Sequence, residues 1–149
     1  MFTKIISLKI KQIQEEIIDE FAMFDDWMQR YEYMIDLGKS LPLIDSKFKT
    51  DEYLVNGCQS KVWVKAELID KQIVFKADSE AIISKGIIAI LIRVFSHHEP
   101  NEIIEANTDF IDKIGLKDHL SPNRANGLSS MIKQLKLYAL AYQTKINNE

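Results

Sequence analysis

KVWVKAELIDKQIVFKADSEAIISKGIIAIL, residues 61–91, carries two periodicities, and the switch between them decides the fold. Val62, Val64, Ala66 and Leu68 alternate with Lys61, Trp63, Lys65 and Glu67, the period of two expected of a half-buried strand. Ile73, Phe75 and Ala77 repeat the pattern after a gap around Asp70 and Lys71. That gap is short enough for a tight hairpin, although its turn lacks glycine. Beyond it Asp78 or Ser79 is placed to cap a helix running to about Ser96. Ile82, Ile83, Ile87, Ile88, Ile90, Leu91, Val94 and Phe95 make that helix apolar over most of its circumference. Such a helix is buried. Gly86 inside it costs roughly 1 kcal/mol against alanine, so close approach of another backbone is its expected reason.

Upstream, Tyr53, Leu54 and Val55 read as a short first strand. The sheet then has about three antiparallel strands, which cannot stand alone and need helices over one face. The helices are present. Ile10, Ile13, Ile17 and Phe21 recur at helical spacing. Asp25 or Asp26 can cap a second helix, with Trp27, Tyr31, Met34 and Ile35 on one face and stop signals at Gly38 and Pro42. After short elements around Pro100–Ala106 and Asp109–Ile114, Ser121–Pro122 reads as the N-cap and first residue of a long amphipathic helix to about Ile146. The expected fold class is α+β, helices packed on a small antiparallel sheet, in a single domain over residues 1–149.

The chain of 149 residues has 19 basic and 22 acidic side chains, a net charge of −3. The basic residues are scattered and form no stripe to track a phosphate backbone, so nucleic acid is not an expected partner. The longest apolar stretch, Gly86 to Ile92, stops at Arg93 and is too short to span a bilayer. The N-terminus MFTKIISLKIKQIQEE has lysines inside its apolar run and no cleavage-site pattern. A single cysteine forms no internal disulfide. The expected location is the cytoplasm, where thiols stay reduced.

That cysteine, Cys58, follows the turn-forming pair Asn56–Gly57 and precedes polar Gln59 and Ser60. The pattern places it on a loop rather than at an alternating core position such as Val62. Free cysteines are most often small buried hydrophobes, and the loop context points instead to a functional thiol. Its nearest cation in sequence, Lys61, also reads as a solvated strand-end lysine. A cysteine hydrolase would need a histidine base, and His97 and His98 fall at a helix C-terminus where surface positions are expected. His119 reads as exposed. No CxxC, HExxH, P-loop or GxGxxG spacing is present, and one cysteine with two histidines falls short of a closed zinc site. Group transfer by thiol exchange asks only for exposure and a docking surface.

LVNGCQSKVWV (54–64), LGKSLP (37–42), ADSEAIISKGIIAIL (77–91) and LSPNRANGL (120–128) resemble, in this order and spacing, the SufE family of sulfur acceptors in iron–sulfur cluster assembly, CsdE included. The resemblance runs from about Trp27 to the last helix, and residues from about 1 to 24 read as a variable N-terminal helix outside it. It implies a SufE/IscU-like fold and a partner role rather than an independent enzyme. A pyridoxal-phosphate cysteine desulfurase of the SufS/CsdA type would pass persulfide sulfur to Cys58 and be stimulated by its removal. A SufB-containing scaffold complex would then receive the sulfur. The pyridoxal cofactor belongs to the desulfurase, and none is expected here. Gly57, Gln59 and Ser60 would shape the loop, while Asp78 and Arg124 would frame it or the docking face. Asp78 also reads as a plain N-cap and Arg124 as half of a surface ion pair. Trp63 is an exposed anchor or packs under the loop. The alternative is a metal- or cluster-binding scaffold of the same fold, although IscU proteins use several cysteines where this chain has one.

Overall fold

A computed structural model describes residues 9–149 of the chain, so residues 1–8 of the expected N-terminal helix lie outside it. Strands β1 (Val62–Ile69) and β2 (Gln72–Ser79) pair antiparallel from Val62 opposite Ser79 to Ile69 opposite Gln72. Asp70 and Lys71 remain as a two-residue turn. Both have left-handed φ, 51° and 69°, as a type I′ hairpin turn requires at its two central positions. The twist of the strands imposes that conformation even without glycine.

Among the described residues the sheet has two strands, not three. The segment expected as a first strand is a 3-10 turn, Asp51–Tyr53, followed by one bridge from Leu54 to Trp63. The reason lies in how the free edge of β1 is satisfied. Its Val62 carbonyl accepts from the Val55 N–H at 2.8 Å. The Val64 and Ala66 carbonyls accept instead from the hydroxyls of Tyr138 and Tyr142, each at 3.0 Å. Side chains from a helix therefore occupy the place of a third strand. The edge of β2 is closed by other means. Ile73 exchanges bonds with His97 and His98 at 2.7 and 2.8 Å, and the Phe75 N–H donates to Ser96 Oγ at 2.9 Å. Ala77 bonds to Pro42 and Ile44 at 3.0 and 3.1 Å.

Of the two readings of Trp63, the exposed anchor is excluded: it is buried, because Leu54 bridges to it and Lys49 Nζ lies 5.6 Å above its ring. Two further expectations are corrected at this hairpin. His98 is buried as well, since its backbone completes the edge of β2. Neither Asp78 nor Ser79 caps the following helix. Both are still in β2, and the Ser79 hydroxyl closes the strand end, donating to the Lys61 carbonyl at 2.9 Å and accepting from the Ala81 N–H at 3.2 Å.

Helices α1 (Ile10–Ala22), α2 (Trp27–Lys39) and α3 (Ile82–Phe95) form the core with this hairpin. Asp26 caps α2, accepting from the Gln29 N–H at 2.8 Å. From Gly86 to Phe95 every residue of α3 except Arg93 is buried. Arg93 clamps Glu20 of α1 with two bonds of 2.7 and 2.5 Å, the paired geometry that a guanidinium and a carboxylate favour. The short α4 (Pro100–Glu105) and α5 (Asp109–Lys113) lead to α6 (Pro122–Asn147), with Ser121 as N-cap accepting from the Arg124 N–H at 3.3 Å. Lys136 of α6 closes the end of α4, its ammonium donating to the carbonyls of Ile103, Ile104 and Ala106 at 3.2, 3.1 and 2.5 Å.

Gly86 meets the expectation placed on it. A Cβ there would collide with the carbonyl of Met34 in α2, whose carbon would lie 2.9 Å away, and Gly38 faces it from the same helix. Overpacking of this kind costs about 1–3 kcal/mol and the helix propensity of alanine returns about 1 kcal/mol. Because the obstacle is backbone, Gly86→Ala is expected to lose about 2 kcal/mol of stability. The check is a fall in the urea unfolding midpoint at unchanged slope.

Candidate functional site

The base of the Cys58 loop is pinned to the sheet. The bond from the Val55 N–H to the Val62 carbonyl and the bridge from Leu54 to Trp63 tie the two arms together and leave residues 56–61 as a closed loop. Gly57 turns the chain with φ of 97°, a conformation that favours glycine. Its hydrogen side faces Ser130 of α6 so closely that any Cβ would strike the serine hydroxyl.

Cys58 is half-buried, neither free in solvent nor part of the core. Its Sγ–H donates to the Gly127 carbonyl of α6 at 3.6 Å. A Cβ on Gly127 would sit 3.5 Å from Sγ, an ordinary contact, so the thiol rests directly against this position. Next to it, Asn123 Nδ2 donates to Gln59 Oε1 at 3.2 Å. Together these groups border a cleft of ≈ 80 Å³ between the loop, α3 and α6. Ser60 and Ser84 bring hydroxyls to it, Asn123 and Gln59 amides, and Arg124 its guanidinium. None of the lining residues is a histidine, aspartate or glutamate. Burial pushes the Cys58 thiol up from its ordinary value, and nothing among the described residues offsets it. At neutral pH the sulfur is therefore held as the thiol, the unreactive form.

Of the residues singled out in the sequence, Gly57, Cys58, Gln59, Ser60 and Arg124 converge here. Asp78 is not among the groups lining the cleft. It lies opposite Trp63 at the end of β2, with Lys49 on one carboxylate oxygen and, on the other, Lys85 at 3.4 Å and the Ser79 N–H at 2.8 Å. Burial alone would raise its carboxyl, but Lys49, the Ser79 amide and Lys85 outweigh burial and hold it below the usual carboxylate range. His98 is turned into the structure with Nε2 buried and unpartnered, its imidazole pushed down by burial. Among the described residues no group of three or more His, Cys, Asp or Glu side chains gathers in metal-binding geometry.

Asn123, Gly127, Ser84 and Ser130 were not singled out as site residues. The first two stand within LSPNRANGL, where Arg124 drew attention because an arginine opposes the positive end of a helix. Their signal was the spacing of four, which puts them on one helical face.

The profile of a family described as SufE, the Fe-S metabolism associated domain, matches residues 15–139. The chain belongs to the SufE family. It is 42% identical over 127 residues to a SufE-like protein of Rhizobium meliloti (strain 1021), covering 82% of this chain and 91% of that one. It is 35% identical over 128 residues to a SufE-like protein of a Synechocystis strain, covering 86% and 80%. SufE-like protein 1 of Arabidopsis thaliana, described as chloroplastic/mitochondrial, is 37% identical over 132 residues, which are 88% of this chain and 36% of that longer one. The solution structure of a hypothetical protein from Thermus thermophilus superposes with a TM-score of 0.74 at 16% identity, over 89% of this chain and 96% of that one, and so shares the fold. SufE membership associates the protein with iron–sulfur metabolism. No helix among the described residues is long and apolar enough to cross a membrane.

A buried, proton-bearing thiol has a measurable signature. The rate of Cys58 alkylation plotted against pH is expected to rise at higher pH than that of a cysteine in a short peptide. In unfolding urea the two curves should coincide. A native curve lying at or below the peptide's would contradict the resting state described above.

Proposed function

We propose that this SufE-family protein is a sulfur acceptor that activates a cysteine desulfurase. It takes persulfide sulfur on Cys58 and relays it to an iron–sulfur cluster assembly scaffold. The observation that carries this reading is the site itself: a single thiol on a glycine-shaped loop, beside a cleft lined with hydroxyls, amides and a guanidinium but with no general base. Such a sulfur has no equipment for hydrolysis and needs none for exchange.

The transfer is an exchange at sulfur. Cys58, once it has lost its proton, attacks the terminal sulfur of the desulfurase persulfide. A new S–S bond forms at Cys58, the donor's S–S bond breaks, and the desulfurase cysteine leaves as thiolate. No net oxidation occurs. Because attack requires thiolate and burial favours the thiol, the resting loop suppresses the reaction until docking changes the surroundings of the sulfur. A loop can enter a partner's cleft where a sheet face cannot. The partner is a pyridoxal-phosphate enzyme of the SufS/CsdA type, and the recipient a SufB-containing complex. Gly57, Gln59, Ser60 and Arg124 border the thiol, while Asp78 with Lys49 and Lys85 offers a charged patch at the end of the hairpin for docking.

Incubation with such a desulfurase and free cysteine is expected to add the mass of one sulfur atom to the intact protein, removable by reductant. Cys58→Ser should lose both the adduct and any stimulation of desulfurase turnover, while keeping its unfolding midpoint. An unmodified mass in the wild-type protein after desulfurase turnover would sink the proposal.

A further inference from the structure

The cleft beside Cys58 is lined by groups that can donate hydrogen bonds and by no acid. Ser60 and Ser84 contribute hydroxyls, Gln59 and Asn123 amides, and Arg124 is the one charged residue among them. The Arg124 backbone N–H donates to Ser121 Oγ, and no carboxylate among the described residues pairs with its guanidinium. The surface ion pair expected of this arginine therefore has no second member, and its charge is left to the cleft.

The backbone adds to the same field. Ser84 lies in the opening turn of α3, and Asn123 and Arg124 lie in that of α6, so the starts of two helices border one cleft. Ala81, at the N-cap of α3, supplies no side-chain cap, and the N–H groups of Ile82, Ile83 and Ser84 have no acceptor among the described residues. Helix starts carry partial positive charge, and an arginine beside two of them is costly unless an anion joins them. At ≈ 80 Å³ the cleft has the volume of about two to three waters, which suits a small anion and excludes a large cofactor.

We infer that this cleft is a subsite for the sulfonate end of thiosulfate, and that Cys58 takes sulfur from this small anion without a protein donor. Sulfate or phosphate would meet the same groups but offers a thiol nothing to attack. Thiosulfate carries, next to its sulfonate, an outer sulfur open to exchange with a thiolate. Cys58 releases its proton to solvent, Sγ bonds to the outer sulfur, and the bond between the two thiosulfate sulfurs breaks. Sulfite leaves with that electron pair, and Cys58 keeps a persulfide. The step needs no external oxidant or reductant. Arg124 holds the sulfonate and stabilises the charge gathered on it as sulfite departs, a paired contact that suits a guanidinium. The inference rests on the acceptor thiol of the reading above and differs from it in the donor.

The test uses the full chain alone, dialysed against excess thiosulfate so that sulfite is carried away, with intact mass followed over time. Wild type is expected to gain the mass of one sulfur atom, removable by reductant, and Cys58→Ser to gain none. Losing a bond to a charged group should slow loading of Arg124→Gln about ten- to a hundredfold, while alkylation of its thiol by neutral iodoacetamide stays at the wild-type rate. Arg124→Lys, which keeps the charge without the paired geometry, should fall between the two. Sulfate should slow wild-type loading more than sodium chloride does at equal ionic strength. An unchanged wild-type mass overturns the inference. So does Arg124→Gln loading as fast as wild type, an equal fall in its alkylation, or sulfate acting no more strongly than chloride. Loading by the desulfurase is measured in parallel. Sulfur gained from the desulfurase but not from thiosulfate removes this inference and leaves the acceptor reading standing, and the reverse pattern does the opposite.

Discussion

Val62, Val64 and Ala66 present their carbonyls to the side of the hairpin that β2 does not cover, and the fold depends on what satisfies them. Two strands are too few to be stable in water, and unpaired edges invite association with other chains. Here a backbone amide takes the first carbonyl and two tyrosine hydroxyls from α6 take the others. The opposite edge is filled by the chain around Pro42–Ile44 and by the residues just past α3. Among the described residues the sheet has no third strand, and each edge is capped over part of its length in this way.

This solution assigns α6 two duties along its length. Its middle, through Tyr138 and Tyr142, completes β1, and its opening turns, through Asn123, Gly127 and Ser130, carry the Cys58 loop. Val62 joins the two ends, because its carbonyl fixes the neck from which the loop projects. The thiol is thus positioned relative to a rigid frame by elements distant in sequence, and the frame offers it a place without offering it a base. A sulfur so placed waits for chemistry brought from outside, which is how the fold and the proposed exchange reaction meet.

Much of this was legible in the sequence, for reasons that differ by residue. The hairpin and α3 announced themselves by period, and Gly86 by being costly in a buried helix unless a backbone lay against it, as that of Met34 does. The third strand was misread because β-rich composition at Tyr53–Val55 says nothing about tyrosines more than eighty residues away competing for the same carbonyls. Asp78 was misplaced as a cap since its true partners, Lys49 and Lys85, are set by tertiary packing. His98 read as surface because helix-end position is a local cue, whereas its burial follows from pairing with Ile73. At the site, Cys58 stood out by its turn chemistry. On the α6 side of the cleft only Arg124 did, because small and amide residues near the start of a helix have ordinary explanations.

The solitude of Cys58 has a further consequence. A thiol oxidised to sulfenic acid is commonly rescued by a neighbouring cysteine that closes a disulfide, and this chain of 149 residues holds no second cysteine to do so. Recovery must come from a thiol on another molecule. Oxidants, like partners, react with the thiolate, so the proton that burial keeps on Sγ also slows damage. Having no chemical means of repair within itself, the protein relies on shape for its defence: the berth beside Gly127 is a shield against peroxide as much as a resting place.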